Sequence, residues 1–246
     1  TPHDLFGSAP SIQAKLGACN AVAFDLTAAC SGFLFALITA SQFLKSGSFK
    51  RAIVIGADQL SSFVDWNDRR SCILFGDGAG ALAIEATNEF DNLIGFDMRT
   101  DGERGSFLNL PSKNNKDSII DNIDFLSGAF SPIQMNGQEV YKFAVREVPI
   151  ILEKLLKKMN YTSDEVDWLV LHQANQRILD SVGDRLKIPG EKILSNLEKY
   201  GNTSAATIPL MMDEAVRDYR IKQNDIIATS GFGAGLSWGA ALIKWG

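Results

Sequence analysis

Apolar and polar positions along the chain alternate between two periods. "GFLFALITASQFLKSG" (32–47) is apolar on nearly every face and predicts a buried helix stopped at Gly47. "NQRILDSVGDRLKI" (175–188) puts its apolar residues on one stripe and predicts an amphipathic helix. "GQEVYKFAVREVPIILEKLLKKMN" (137–160) predicts a long helix interrupted or kinked at Pro149. "SIQAKLG" (11–17) reads as the end of a short helix closed by Gly17. Between these lie short-period stretches. "NAVAFDLTA" (20–28) alternates apolar and small residues and predicts a strand. "KRAIVIGAD" (50–58) predicts a short buried strand, and "DWLVLHQAN" (167–175) a strand ending at His172. "ILFGDGAGALAIEA" (73–86) predicts a glycine-rich pair of strands. "KILSNLEKYGNTSAATIPLMMDEAVRDYR" (192–220) passes from an extended piece through Gly201-Asn202 into a helix, and "NDIIATSGFGAGLSWGAALIKWG" (224–246) closes as two strands.

Residues 87–135 differ. They are rich in Asn, Asp, Ser and Gly, which predicts surface loops and short strands. One internal echo stands out. "AIVIGAD…FGDGAGALAIEA" repeats the order of "DIIATSGFGAGLSWGAALIKW": an apolar strand, then Phe-Gly-x-Gly, then a strand of small residues. Strands alternating with long helices predict a layered α/β fold built from two similar halves.

Composition narrows this picture. The 246 residues are enough for one large domain or two packed halves. The net charge of −5 gives no whole-chain basic excess for nucleic acid or an anionic membrane. Polar residues break the apolar runs well short of a membrane span. Cys19, Cys30 and Cys72 lie far apart, with neither metal-ligand spacing nor a disulfide framework, which points to a reducing compartment. The histidines are His3 and His172, and His3 lies in the loose opening "TPHDLFGS". The chain starts at Thr1 without a signal peptide and reads as if entered mid-protein.

Three residues carry chemistry. Cys30, in "FDLTAACSGF", sits where an extended segment runs into a helix. A thiol there feels unsatisfied backbone N–H groups and the positive end of the helix dipole, which is expected to lower its pKa. It is either a nucleophile on a tight elbow or a small buried residue. His172 ends an apolar strand, where α/β folds place their sites, or is a satisfied strand-edge histidine. Asn202, in "KYGNTSAAT", precedes a helix with Thr203 or Ser204 as candidate N-caps, or belongs to a plain Gly-Asn turn. "FGDGAG" (75–80) and "FGAG" (232–235) are not phosphate loops. They read as tight connections and close backbone approaches that can present an N–H to an oxyanion. Lys142, Arg146, Lys154, Lys157, Lys158, Arg177, Arg185 and Lys187 make the second half locally basic against an acidic whole.

"DLTAACSGF", "HQANQRI" and "GNTSAATIP", in that order, together with "FGDGAGA" and "GFGAGLSWGAAL", closely resemble β-ketoacyl-acyl carrier protein synthase III, a condensing-enzyme family. The resemblance spans essentially the whole chain. It implies a thiolase-like fold of two duplicated halves in five αβαβα layers. It also implies a further stretch ahead of the position matching Thr1, which leaves the N-terminal half incomplete. The organisation expected is one unit over 1–246. Residues 1–90 hold the nucleophile, 91–136 form a loop-rich connection, and 137–246 hold the histidine and asparagine.

The resemblance implies the reaction as well. A short acyl-CoA primer condenses with malonyl-acyl carrier protein, losing carbon dioxide, to start type II fatty acid synthesis. Cys30 is the implied nucleophile, and His172 and Asn202 the implied donors to the malonyl thioester oxygen. Backbone N–H groups of Cys30 and Ala234 match the oxyanion hole, and Phe232 a phenylalanine beside the nucleophile. Arg69, Gly137, Lys142 and Asn175 match positions along the CoA and phosphopantetheine tunnel. Gln173, Arg177, Arg185 and Lys187 match the carrier-protein face. The resemblance implies no cofactor and no metal, and a homodimer in the cytoplasm or plastid stroma. The rivals are a polyketide-type condensing enzyme of the same fold and an inactive fragment that only binds or dimerises. Thiolases proper are disfavoured because "SGFGAGLS" lacks their second cysteine, and elongating condensing enzymes because Asn202 stands where they have a histidine. The missing cysteine signature and the α/β alternation argue against a papain-like protease.

Overall fold

The computed structural model describes residues 7–87, 91–113, 116–120, 123–126 and 129–246, without the side chains of 112–129. Its main helices are α1 (Ala9–Lys15), α2 (Gly32–Lys45), α3 (Gly137–Lys158), α4 (Gln176–Leu186) and α5 (Thr207–Arg217). The long strands are β1 (Arg51–Gln59), β2 (Asp77–Glu85), β3 (Leu93–Thr100), β4 (Trp168–Leu171), β5 (Ile226–Gly233) and β6 (Ser237–Lys244). β1 and β2 form an antiparallel pair. The other four make one mixed sheet in the order β4-β5-β6-β3, parallel between β4 and β5 and antiparallel elsewhere.

Side-chain alternation along this mixed sheet creates two cores. On one face Leu169, Leu171, Ala228, Phe232, Trp238, Ala240 and Leu242 pack with Phe143, Ile151, Leu152 and Leu155 of α3 and Leu179 and Val182 of α4. On the other face Val170, Ile227, Ala241 and Ile243 pack with Phe33, Leu34, Leu37 and Ile38 of α2 and Ile208, Met211 and Met212 of α5. Val54 of β1 joins this second core, with Leu82 and Ile84 of β2 packed against it. The stack is therefore β1–β2, then α2 and α5, then the mixed sheet, then α3 and α4. Strands buried on both sides read as unbroken apolar runs, which is why β4 and β5 were legible.

The layered α/β expectation stands, with local corrections. The described residues build four of the five expected layers. No described helix packs on the outer face of β1–β2, where Ile53 and Ile55 are exposed. β1 is accordingly buried on one face only, against the expectation of a fully buried strand. Residues 73–86 hold one strand rather than two, because 73–76 form a turn that contacts Asn202. Residues 21–28 form no regular element, and Val22 and Phe24 are exposed. Alternation predicts an extended backbone, while a strand also needs a neighbour to bond. α3 runs unbroken through Pro149, whose flanks Val148, Ile151 and Leu152 are buried. Packing of that apolar face offsets the single N–H the proline lacks. Residues 91–136 are more than a connection, since β3 is an edge strand of the mixed sheet. Short antiparallel pairs do follow (108–109 with 134–135, 112–113 with 129–130), as expected for the polar middle. The rest of that reading, and His3, falls partly or wholly outside the described residues.

Candidate active site

Cys30 lies in a single 3₁₀ turn, Ala29–Ser31, that leads directly into α2. Ala29 is in the left-handed region at φ 46°, so the chain turns sharply just before the thiol, as an elbow requires. The end of β5 presses on it. A Cβ at Gly233 would stand 2.6 Å from the Cys30 nitrogen, so only glycine fits. Ala234, the residue with the proposed second oxyanion N–H, follows immediately. Ser31 Oγ donates to the Ser237 carbonyl at 2.7 Å and ties the elbow to β6.

The thiol is buried, and its electrostatics reverse the sequence expectation. Burial pushes the Cys30 pKa up to about 11. A hydrogen bond from Ser204 opposes the rise, and the Asp58 carboxylate adds to it. Loss of water around the sulfur outweighs what the helix terminus was expected to supply. Cys30 therefore rests as a thiol at neutral pH.

His172 follows β4, and its backbone N–H donates to the Ser230 carbonyl at 2.8 Å. The imidazole is 1% exposed, and burial drives its pKa down to about 3, so it is neutral near pH 7. Its ring meets Phe232 edge-on at 5.1 Å between centroids.

Asn202 is held three ways. Its N–H donates to the Leu74 carbonyl, and its carbonyl accepts the Gly76 N–H. Its Oδ1 accepts the Ser204 N–H at 2.8 Å, which orients the amide. Asn202 thus fills the capping role expected of Thr203 or Ser204, whose side chains make no cap bond at this turn.

The turn 202–207 is what gathers the three residues. Ser204 Oγ donates to Cys30 Sγ at 3.3 Å. Thr207 Oγ1 lies 2.7 Å from His172 Nδ1 and donates to the Ser204 carbonyl at 3.0 Å. Asp58 Oδ2 accepts the Ala205 N–H at 3.0 Å. Ser204, Thr207 and Asp58 escaped the sequence reading. Ser204 and Thr207 signalled themselves only as hydroxyls in "NTSAAT", which read equally as capping, and Asp58 gave no signal at the end of its strand.

The remaining predicted residues do not join this cluster. Arg69, Gly137, Lys142 and Asn175 are exposed, and among the described residues no hydrogen bond or ion pair links them to Cys30, His172 or Asn202. Gly137 opens α3, Lys142 pairs with Glu139, and Asn175 caps α4 by accepting the Arg177 N–H. Arg177, Arg185 and Lys187 are exposed along α4 and its end. Gln173 corrects the expectation of a carrier-protein contact. It is 0% exposed, and its amide donates to the Leu171 carbonyl while its Oε1 accepts the Asn196 N–H. It braces the end of β4 and offers no surface. No group of three or more His, Cys, Asp or Glu among the described residues is placed to hold a metal. No helix among them is long and apolar enough to cross a membrane.

Two family models match the chain: 3-oxoacyl-[acyl-carrier-protein] synthase III over residues 24–102 and its C-terminal part over 156–245. A β-ketoacyl-[acyl-carrier-protein] synthase III of Prochlorococcus marinus (strain MIT 9301) is 94% identical over 246 residues, all of this chain and 73% of that relative. The crystal structure of the synthase III from Aquifex aeolicus VF5 is similar with TM-score 0.89 and 38% identity, covering 100% of this chain and 74% of that one. The priming β-ketosynthase of the R1128 polyketide pathway is similar with TM-score 0.85 and 30% identity, covering 96% and 69%.

Proposed function

Since the chain belongs to the 3-oxoacyl-[acyl-carrier-protein] synthase III family, with its thiolase-like α/β fold, we propose how its own residues carry that family's reaction. The reaction is decarboxylative Claisen condensation of a short acyl-CoA primer with malonyl-acyl carrier protein, yielding 3-oxoacyl-acyl carrier protein, CoA and carbon dioxide. It initiates type II fatty acid synthesis.

The Cys30 sulfur attacks the primer carbonyl, the C–S bond to CoA breaks, and the thiol proton leaves on the CoA sulfur. The backbone N–H groups of Cys30 and Ala234 bind the transient oxyanion, each such donor being worth about 2.7–4 kcal/mol. Malonyl-acyl carrier protein then enters. Asn202, its Oδ1 committed to the Ser204 N–H, has its amide hydrogens for the thioester oxygen, and His172 is its partner there. Carbon dioxide leaves, and the enolate carbon attacks the acyl group and expels the Cys30 sulfur. Phe232, edge-on to His172, walls the site against water. Arg69, Gly137, Lys142 and Asn175 line the pantetheine approach, and Arg177, Arg185 and Lys187 meet an acidic carrier protein. The active form is a homodimer in the cytoplasm or plastid stroma.

The observation that supports this reading best is the 202–207 turn, which bonds to Cys30 and His172 and contains Asn202. The test separates the two half-reactions. Cys30→Ser should take no label from radioactive acetyl-CoA, while Asn202→Ala should take label and fail to decarboxylate malonyl-acyl carrier protein. Equal loss of both half-reactions in Asn202→Ala sinks its role. A wild-type chain that takes no label, beside a version lengthened to match its relatives that does, identifies a binding or dimerising fragment instead.

A further inference from the structure

We propose that Thr207 is the positioning residue that holds the proton of neutral His172 on Nδ1, leaving Nε2 to gain and lose the proton of the cycle. The proposal rests on the condensing reaction above.

A hydroxyl carries one hydrogen and two lone pairs. The Thr207 hydroxyl sits between His172 Nδ1 at 2.7 Å and the Ser204 carbonyl at 3.0 Å. With the proton on Nδ1, a chain N–H···O–H···O=C forms and the hydroxyl both accepts and donates. With Nδ1 bare, the hydroxyl must turn to the ring and one of the two bonds is lost. The Ser204 carbonyl also accepts the Thr207 N–H, so it is not orphaned in either case. The deciding difference is the extra bond made by the hydroxyl. His172, Ser204 and Thr207 are all at most 4% exposed, so water does not replace a lost bond cheaply.

Nε2 has no hydrogen-bond partner among the described residues. An imidazolium has N–H on both nitrogens. Thr207 therefore accepts from Nδ1 in the neutral and the charged ring alike, and protonation at Nε2 requires no reorientation of the turn. The second half-reaction consumes one proton. The malonyl carboxylate leaves as carbon dioxide, its bonding pair forms the enolate, and the Cys30 sulfur departs as a thiolate. A solvent proton enters at Nε2 only with malonyl-acyl carrier protein bound, when the malonyl carboxylate beside the ring raises the imidazole above its burial-depressed resting pKa. There it donates to the thioester oxygen as negative charge develops. It then passes to the Cys30 sulfur and restores the thiol.

His3 and His172 are the chain's two histidines, so nitrogen-15 NMR of labelled histidine resolves the tautomer directly. At neutral pH the wild-type His172 should show a protonated Nδ1 and a bare Nε2. Thr207→Val keeps the shape without the hydroxyl. It should mix the tautomers and slow malonyl decarboxylation on acylated enzyme about a hundredfold, the lower end of what a placed acid–base group contributes. Thr207→Ser should preserve both tautomer and rate. A wild-type ring protonated on Nε2 would overturn the proposal, and so would unchanged tautomer and rate in Thr207→Val, or equal damage in Thr207→Ser. If Thr207→Val does not fold, the wild-type spectrum still decides. A wild-type chain with the expected tautomer but no condensation would remove the proposed reaction while supporting the Thr207–His172 bond.

Discussion

The two strand pairs that echo each other in sequence are used differently. β1–β2 and β5–β6 are both antiparallel, and each is flanked by Phe-Gly-x-Gly. β5–β6 lies inside the molecule with a helical layer on each face, whereas β1–β2 is covered on one face only. Their glycine motifs reach the site from different sides. Gly233 presses against Cys30, while Phe75 and Gly76 hold Asn202. A repeated sequence thus fixes a local shape, and the layer in which that shape is buried decides its stability and its role.

The largest effect should come from hollowing the interior pair. Leu242→Ala on β6, at 0% exposure, should cost about 2–5 kcal/mol in urea unfolding. A cost near that of an exposed position would mean that β6 is not a core strand. The next effect separates the two glycine motifs. Gly233→Ala should lower Cys30 acylation about 10²-fold by displacing the proposed nucleophile, since misplacement by an ångström costs that much. Gly76→Ala would put its Cβ into the Tyr200 carbonyl, leaving acylation near wild type and slowing malonyl decarboxylation. Loss of both half-reactions in both variants would show the motifs to be structural only.

A third effect is set by pH. The folded pKa of His172 is depressed from 6.5 to about 3, so the unfolded chain binds more protons between those values. Stability should be full above about pH 6.5 and fall as pH drops toward 3. At pH 5 the loss from this group is on the order of 2 kcal/mol relative to pH 7. His172→Gln should flatten that slope in urea titrations, and an unchanged slope would show that the ring is not buried and neutral. The smallest effect is the contrast to Leu242. Ile53→Ala on the outer face of β1, 60% exposed, should change stability by no more than about 0.5 kcal/mol. A larger cost would mean that something covers that face.

The sequence carried much of this. The fully buried strands and the amphipathic α4 were legible because burial on two faces or one stripe writes itself into hydropathy. The elbow at Cys30 was legible as a thiol between an extended run and an apolar helix. Other features were not. Residues 20–28 have the alternation of a strand without a partner, and alternation does not say whether a partner exists. Gln173 is as buried as its neighbour His172, and its amide bonds to the Leu171 carbonyl, a placement that the polar motif around it does not reveal.

By itself, the sequence determined the order of elements and the layered class, and it singled out Cys30, His172 and Asn202 as candidates for the chemistry. Only the tertiary structure decided their state. Enclosure raised the thiol, against the helix-terminus expectation, and lowered the imidazole, because desolvation depends on everything packed around a group rather than on its neighbours in the chain. Likewise, only folding brought Ser204, Thr207 and Asp58 around one turn. Their hydrogen bonds join residues 174, 35 and 147 positions apart, a separation that no local pattern encodes.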